Sequence, residues 1–353
     1  MAHLVFLASL LLTTICSYVQ TLEQPHLTSN SKRTETTKDG SGNIGEYLFV
    51  IGNGLEIEGS RTPELVSLTE GDNIPDCLDA LSEHPYELYY AAGGALPDAG
   101  YRPHTCGNAD SPNNECWVYT PSEDTWTKSS IIPRDIYYAA SAFHPAWGII
   151  MSGGYEDYAE DIYSAEVTIT GDGEYFEELE PMPYSSSFHC VAAINANTIF
   201  VTGLQPSLNK SFKYDREMRE WVPLPNMPIG RSYLGCGVVR DASGKTEVVV
   251  VGGDYLTEVE IFDFEENSWR RARNPFPIGM NNPSIAQHDN TFYVVGGAMI
   301  IEEDGFLDVV TLDTIYRYEA SDESWQLMPN KMKIGRNGAT SMIVNSTLFP
   351  TCD

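Results

Sequence analysis

Four carboxylates fall within six residues at Glu156, Asp157, Glu160 and Asp161. Such a cluster could hold a calcium ion, which gathers about six to eight oxygens. The spacing does not match a defined calcium loop, and a solvated acidic surface is the plainer reading. Five histidines lie beyond residue 45, at His84, His104, His144, His189 and His288, and none stands at metal-ligand spacing. No nucleophile elbow, paired zinc motif or phosphate-binding glycine loop is present in the sequence, so neither a catalytic set nor a cofactor is expected. Arg134, Arg231 and Arg336 each precede an apolar, small-residue stretch. Near a channel mouth these guanidinium groups could contact an anion or an acidic peptide. Inside the fold they would instead satisfy carbonyls and carboxylates.

Six cysteines supply the remaining chemistry: Cys77, Cys106, Cys116, Cys190, Cys236 and Cys352. A seventh, Cys16, sits behind the apolar run Leu4–Leu12, which is too short to span a bilayer and reads as a signal peptide over residues 1–20. An even number of cysteines behind such a segment predicts disulfides and an extracellular, secreted protein. Cys106 and Cys116 bracket a polar loop and form the best single pairing. Cys190 and Cys236 occupy similar places in adjacent repeats, and buried thiols are the alternative there. Cys77 and Cys352 would then close the two ends of the chain. Sequons at Asn209 and Asn345 fit the same route. Residues 21–45 are polar and Ser/Thr/Gly-rich and predict a disordered leader.

The chain carries 50 acidic residues against 21 basic ones, a net charge of −29. Such a surface repels phosphate backbones and anionic membranes, so nucleic acid is a poor partner. It suits cationic partners, or none in particular. No later stretch is long and apolar enough for a membrane span.

The elements that must position these residues repeat. A bulky residue stands seven positions before a large aromatic five times: Tyr119/Trp126, Ile169/Phe176, Tyr214/Trp221, Phe262/Trp269 and Tyr318/Trp325. A period near 50 residues indicates a propeller or solenoid. The units run Tyr86–Pro133, Arg134–Pro183, Tyr184–Pro228, Ile229–Pro277 and Ile278–Lys333. Each reads as four short strands, with glycine doublets at Gly153-Gly154, Gly252-Gly253 and Gly296-Gly297. Residues 47–54 look like a second strand lacking a first, and Glu64–Leu68 like a third. Gly338–Val344 looks like a first strand with little after it. Together they predict one composite blade that closes a ring of six and hides the strand edges.

The order of arginine, small apolar strand, glycine pair, then Tyr and Trp seven apart resembles the kelch repeat. The closest likeness is to secreted invertebrate kelch propellers of the galactose-oxidase central-domain type, over roughly residues 46–350. The resemblance implies an all-β, six-bladed propeller over residues 46–353, with Trp126, Trp221, Trp269, Trp325 and, in the second unit, Phe176 in structural roles. It implies a non-catalytic module that binds protein or glycan through loops such as Leu96–Asn114 and Ile300–Asp313. A copper-radical oxidase is the rival reading, although its ligands do not map onto this chain. A structural component of a secretion is the third.

Overall fold

The computed structural model describes residues 46–52, 60–69, 71–97, 100–108, 114–157, 160, 162–303 and 305–350. The expected signal segment and leader lie outside these residues. The described chain is all-β, apart from short 3-10 turns such as Asp76–Leu78 and Ser346–Leu348.

Five four-stranded antiparallel sheets and one composite sheet make six blades. Blade 1 holds Ala92–Leu96, Arg102–Cys106, Glu115–Thr120 and Thr125–Ile131. Blade 2 holds Ala140–His144, Gly148–Ser152, Val167–Thr170 and Glu177–Leu179. Blade 3 holds Cys190–Asn195, Thr198–Leu204, Lys210–Asp215 and Glu220–Leu224. Blade 4 holds Leu234–Arg240, Thr246–Gly252, Glu260–Asp263 and Ser268–Arg271. Blade 5 holds Ser284–His288, Thr291–Val295, Ile315–Glu319 and Ser324–Leu327. In blade 6 the strand Glu46–Ile51 lies between Thr340–Asn345 and Glu64–Ser67. Tyr47 stands opposite Val344 and Leu48 opposite Ile343, so the expected closure is found.

Residue type explains the layers. Second strands are continuous β-branched runs: Val248, Val249, Val250 and Val251 are all fully buried, because a neighbouring blade covers each face. The seven-residue spacing is a cross-strand pair of the outer hairpin. Tyr119, Tyr214, Phe262 and Tyr318 stand directly opposite Trp126, Trp221, Trp269 and Trp325. Their ring centroids lie 4.8–5.3 Å apart. Three of these tryptophans also donate an indole N–H backwards to the preceding blade or segment, to Ser82, Glu180 and Pro225 carbonyls at 2.8–3.0 Å. Blade 2 departs from the pattern: Ile169 faces Glu177, one residue past Phe176.

The glycine pairs serve blade-to-blade contact. A Cβ on Gly153 would stand 2.2 Å from the Ser186 carbonyl of the next blade. The amide of Gly154 donates to that same carbonyl at 2.8 Å, and Gly253 and Gly297 donate likewise to Met280 and Arg336.

Candidate functional site

Just before its inner strand, each blade turns through a left-handed residue: Tyr90 (φ 54°), Tyr138 (54°), Phe188 (51°), Tyr233 (61°), Asn282 (49°) and Gly338 (67°). For a residue with a side chain this conformation costs about 1–2 kcal/mol. What holds it is a belt of backbone hydrogen bonds from blade to blade. Tyr90 N donates to Gly338 O, Gly338 N to Asn282 O, Asn282 N to Tyr233 O and Tyr233 N to Phe188 O, at 2.8–3.3 Å.

The same turn throws four aromatic rings over the propeller axis. Centroid distances are 4.9 Å for Tyr90–Tyr138, 5.2 Å for Tyr138–Phe188 and 4.4 Å for Phe188–Tyr233. Tyr90 also reaches Phe188, two blades away, at 5.6 Å, and accepts a hydrogen bond from Asn282 Nδ2 at 3.1 Å. These rings therefore form a floor across one end of the central channel. The sequence carries a signal for it beyond the blade repeat: Tyr-Tyr-Ala-Ala occurs at both 89–92 and 137–140.

Beyond the floor lies a cavity of about 530 Å³. Small residues of the inner strands, among them Gly93, Ala142, Ala193 and Gly235, form its walls. Tyr101, His144, His288 and Asp289 stand at its far end. Buried His189 hydrogen-bonds Ser152 Oγ through Nε2 at 2.9 Å, and burial pulls its pKa down to about 3.

The three arginines do not face a ligand, which corrects the expectation of a positive channel mouth. Arg231 and Arg336 have no exposed surface. Arg231 bonds the Gly252 and Glu258 carbonyls and the Glu260 carboxylate, the last at 2.7 Å. Arg336 bonds the Gly52 and Thr62 carbonyls and Glu64. Arg134 is half-buried and donates to Thr168 Oγ1 and to the Gly153 and Glu166 carbonyls. In each case the guanidinium ties the loop before an inner strand to the second and third strands of its own blade. A charge that deep must be paired, since breaking such a pair costs about 3–5 kcal/mol. Burial pushes the Glu260 carboxyl up from its ordinary value, and Arg231 opposes that shift.

Two hairpins rise from the links between second and third strands. One pairs Tyr155–Asp157 with Ile162–Tyr163 in blade 2. It contains the acidic cluster, of which Glu156 and Glu160 are described and exposed. Asp161 and the side chain of Asp157 lie outside the described residues. Among the described residues no three His, Cys, Asp or Glu side chains group as a metal site. The other hairpin pairs Ala298–Glu303 with Phe306–Thr311 in blade 5, where the sequence predicted only a loop. It exposes Phe306 (77%), Leu307 (54%) and Val309 (42%), interleaved with Glu302, Glu303 and Asp308.

Cys106–Cys116 joins the second and third strands of blade 1, and Cys190–Cys236 joins the inner strands of blades 3 and 4. Cys77 is also disulfide-bonded, while its expected partner Cys352 lies outside the described residues. Asn209 begins the approach to the third strand of blade 3, its Oδ1 accepting from Ser207. Asn345 caps the turn Ser346–Leu348 through Oδ1. No helix among the described residues is long and apolar enough to cross a membrane.

No protein-family model matches the chain. Kelch-like protein 41a of Danio rerio is 25% identical over 275 residues, covering 74% of this chain and 43% of that protein. Kelch-like protein 40 of Xenopus laevis is 27% identical over 172 residues, 46% of this chain and 27% of its own length. Kelch-like protein terF of Aspergillus terreus is 22% identical over 319 residues, 85% of this chain and 57% of that protein. The chain thus spans less than half the length of the first two. Among solved structures, that of YjhT superposes with a TM-score of 0.54 at 12% identity, over 76% of this chain and 98% of its own. Repeat pattern, blade count and relatives agree: this chain is a six-bladed kelch-type β-propeller.

Proposed function

We propose that the chain is a secreted, non-catalytic binding module whose hairpin-bearing face takes up a protein partner with a cationic, partly apolar surface. The observation that carries this reading is the blade 5 hairpin. Apart from a bridge between Ala298 and Asn281 at its base, its two strands pair with each other, so its outer end stands off the blade. Phe306, Leu307 and Val309 gain nothing from folding in that position, and apolar groups displayed among charges are typical of interaction sites. Glu302, Glu303 and Asp308 beside them favour a positive partner and oppose a second copy of this strongly acidic chain.

Comparing complexes captured from the source secretion by the native chain and by a Phe306→Ser, Leu307→Ser, Val309→Ser variant tests it. The expected partner is basic, is lost in the variant and dissociates as salt rises. Capture of the same set by both proteins, or of none, overturns the reading. Stoichiometric copper in the secreted protein would overturn its non-catalytic part. Retention of the chain inside the cell, with Asn209 and Asn345 unglycosylated, would overturn secretion.

A further inference from the structure

We propose that the central channel binds a neutral, polyhydroxylated ligand, one or two sugar rings in size, which enters from the end opposite the aromatic floor. This site is separate from the hairpin face and does not rest on it. At about 530 Å³ the cavity falls in the range of small-molecule sites.

Charge decides the ligand class first. Among the described residues, those lining the channel include no Lys, Arg or Glu and one acidic side chain, Asp289, although the chain has 50 acidic residues. Asp289 stands at the mouth beside His288, whose Nε2 lies 3.0 Å from Glu46 and 3.8 Å from Asp289. Deeper in, His189 is kept neutral by burial. An ion passing below that mouth would lose its hydration and meet no countercharge among the described lining residues.

The walls exclude a purely apolar ligand. Each of the six inner strands ends its sheet, so one row of its N–H and C=O groups turns to the channel instead of to a ladder partner. Gln287 shows what satisfies such an edge. Its amide accepts from Val238 N at 2.9 Å and donates to Val238 O at 2.8 Å. A hydroxyl does both with one atom. Ser141, Ser284 and Ser341 add hydroxyls to the lining.

The floor supplies the third element. Tyr90, Tyr138, Phe188 and Tyr233 line the cavity as well as closing it. The face of an aromatic ring carries negative charge density. The C–H face of a pyranose is weakly positive and flat, and it matches such a surface while its hydroxyls point outward to the walls.

Titration calorimetry and ligand-observed NMR on the full chain test this with neutral hexoses and N-acetylhexosamines. Glucose, glucuronate and protonated glucosamine then compare one ring in neutral, anionic and cationic form. The expected result is binding of neutral sugars, weaker by at least about tenfold for both ionic forms. Ser141→Trp, at an exposed channel-lining position, should abolish binding without shifting Tm. Phe188→Leu keeps the bulk of the floor but removes one π face, and should weaken binding about tenfold. The charge series on the native chain needs no variant, so a folding defect in either does not void the test. The Phe306→Ser, Leu307→Ser, Val309→Ser variant should bind sugar as the native chain does. Failure of every neutral sugar to bind at millimolar concentration overturns the proposal. So does equal binding of the ionic forms, binding that survives Ser141→Trp, or a neutral tripeptide that binds more tightly than any sugar.

Discussion

Blades 2 and 5 stand opposite one another in the ring, and each carries an extra hairpin at the same point of its chain, between the second and third strands. The two have opposite fates. In blade 2 the hairpin folds inward: Tyr155 is 7% exposed, stacks on Tyr163 at 4.6 Å, and meets Tyr138 and Phe188 of the floor. In blade 5 the hairpin leaves Phe306 77% exposed. The floor explains the difference. Blades 2 and 3 offer aromatic rings at the axis, whereas blades 5 and 6 offer Asn282 and Gly338. Met299 at the base of the blade 5 hairpin packs against the core, but Phe306 and Leu307 near its tip find no apolar surface. One insertion point thus yields a structural element on one side of the ring and a displayed surface on the other.

Acidification should separate the two regions most. His189 packs against Gly153 and Ser152 at the root of the blade 2 hairpin, and its folded pKa lies near 3, below the ordinary 6.5. Burial also lowers His84 and His104 to about 4. The unfolded chain takes up these protons first. Stability from these groups is therefore complete above pH 6.5 and drains away as pH falls towards 3. His189 contributes at most about 5 kcal/mol of this loss. Tm measured from pH 7 to pH 4 should fall, and hydrogen exchange should quicken in the blade 2 hairpin before the blade 5 hairpin. A flat Tm over that range would remove the buried histidines from the account.

Tyr155→Ala should cost about 2–4 kcal/mol, read by urea unfolding, because it deletes a buried ring from the floor contact. A cost below about 0.5 kcal/mol would mean that the blade 2 hairpin is as independent as its counterpart. The smallest effect on stability belongs to Phe306→Ser, at most about 0.5 kcal/mol, since the ring lies in water already. Its effect should appear in partner capture alone. A large loss of stability there would erase the contrast between the hairpins.

The blades were legible in the chain because their causes are local. Tyr214 and Trp221 face each other across one tight turn, and a spacing of seven follows from hairpin geometry. The run Val248–Val251 reports burial on two faces whatever its neighbours are. The closure of blade 6 was legible for a similar reason, as two incomplete units sum to one. Arg231 and Arg336 stayed open between a ligand-facing mouth and an internal tie because their partners, Glu260 and Glu64, lie far along the chain. Either reading suited the bare sequence, and only burial with a paired carboxylate separates them.

By itself the sequence determined how many blades there are, what each strand buries and how the ends meet, since period, glycine pairs and cross-strand aromatics act within one unit. Only the tertiary structure decided the floor, the channel and the fate of each hairpin. Tyr90, Tyr138, Phe188 and Tyr233 stand more than 40 residues apart in the chain. They become neighbours because ring closure points one residue of every blade at a common axis, and no local pattern encodes a meeting of that kind.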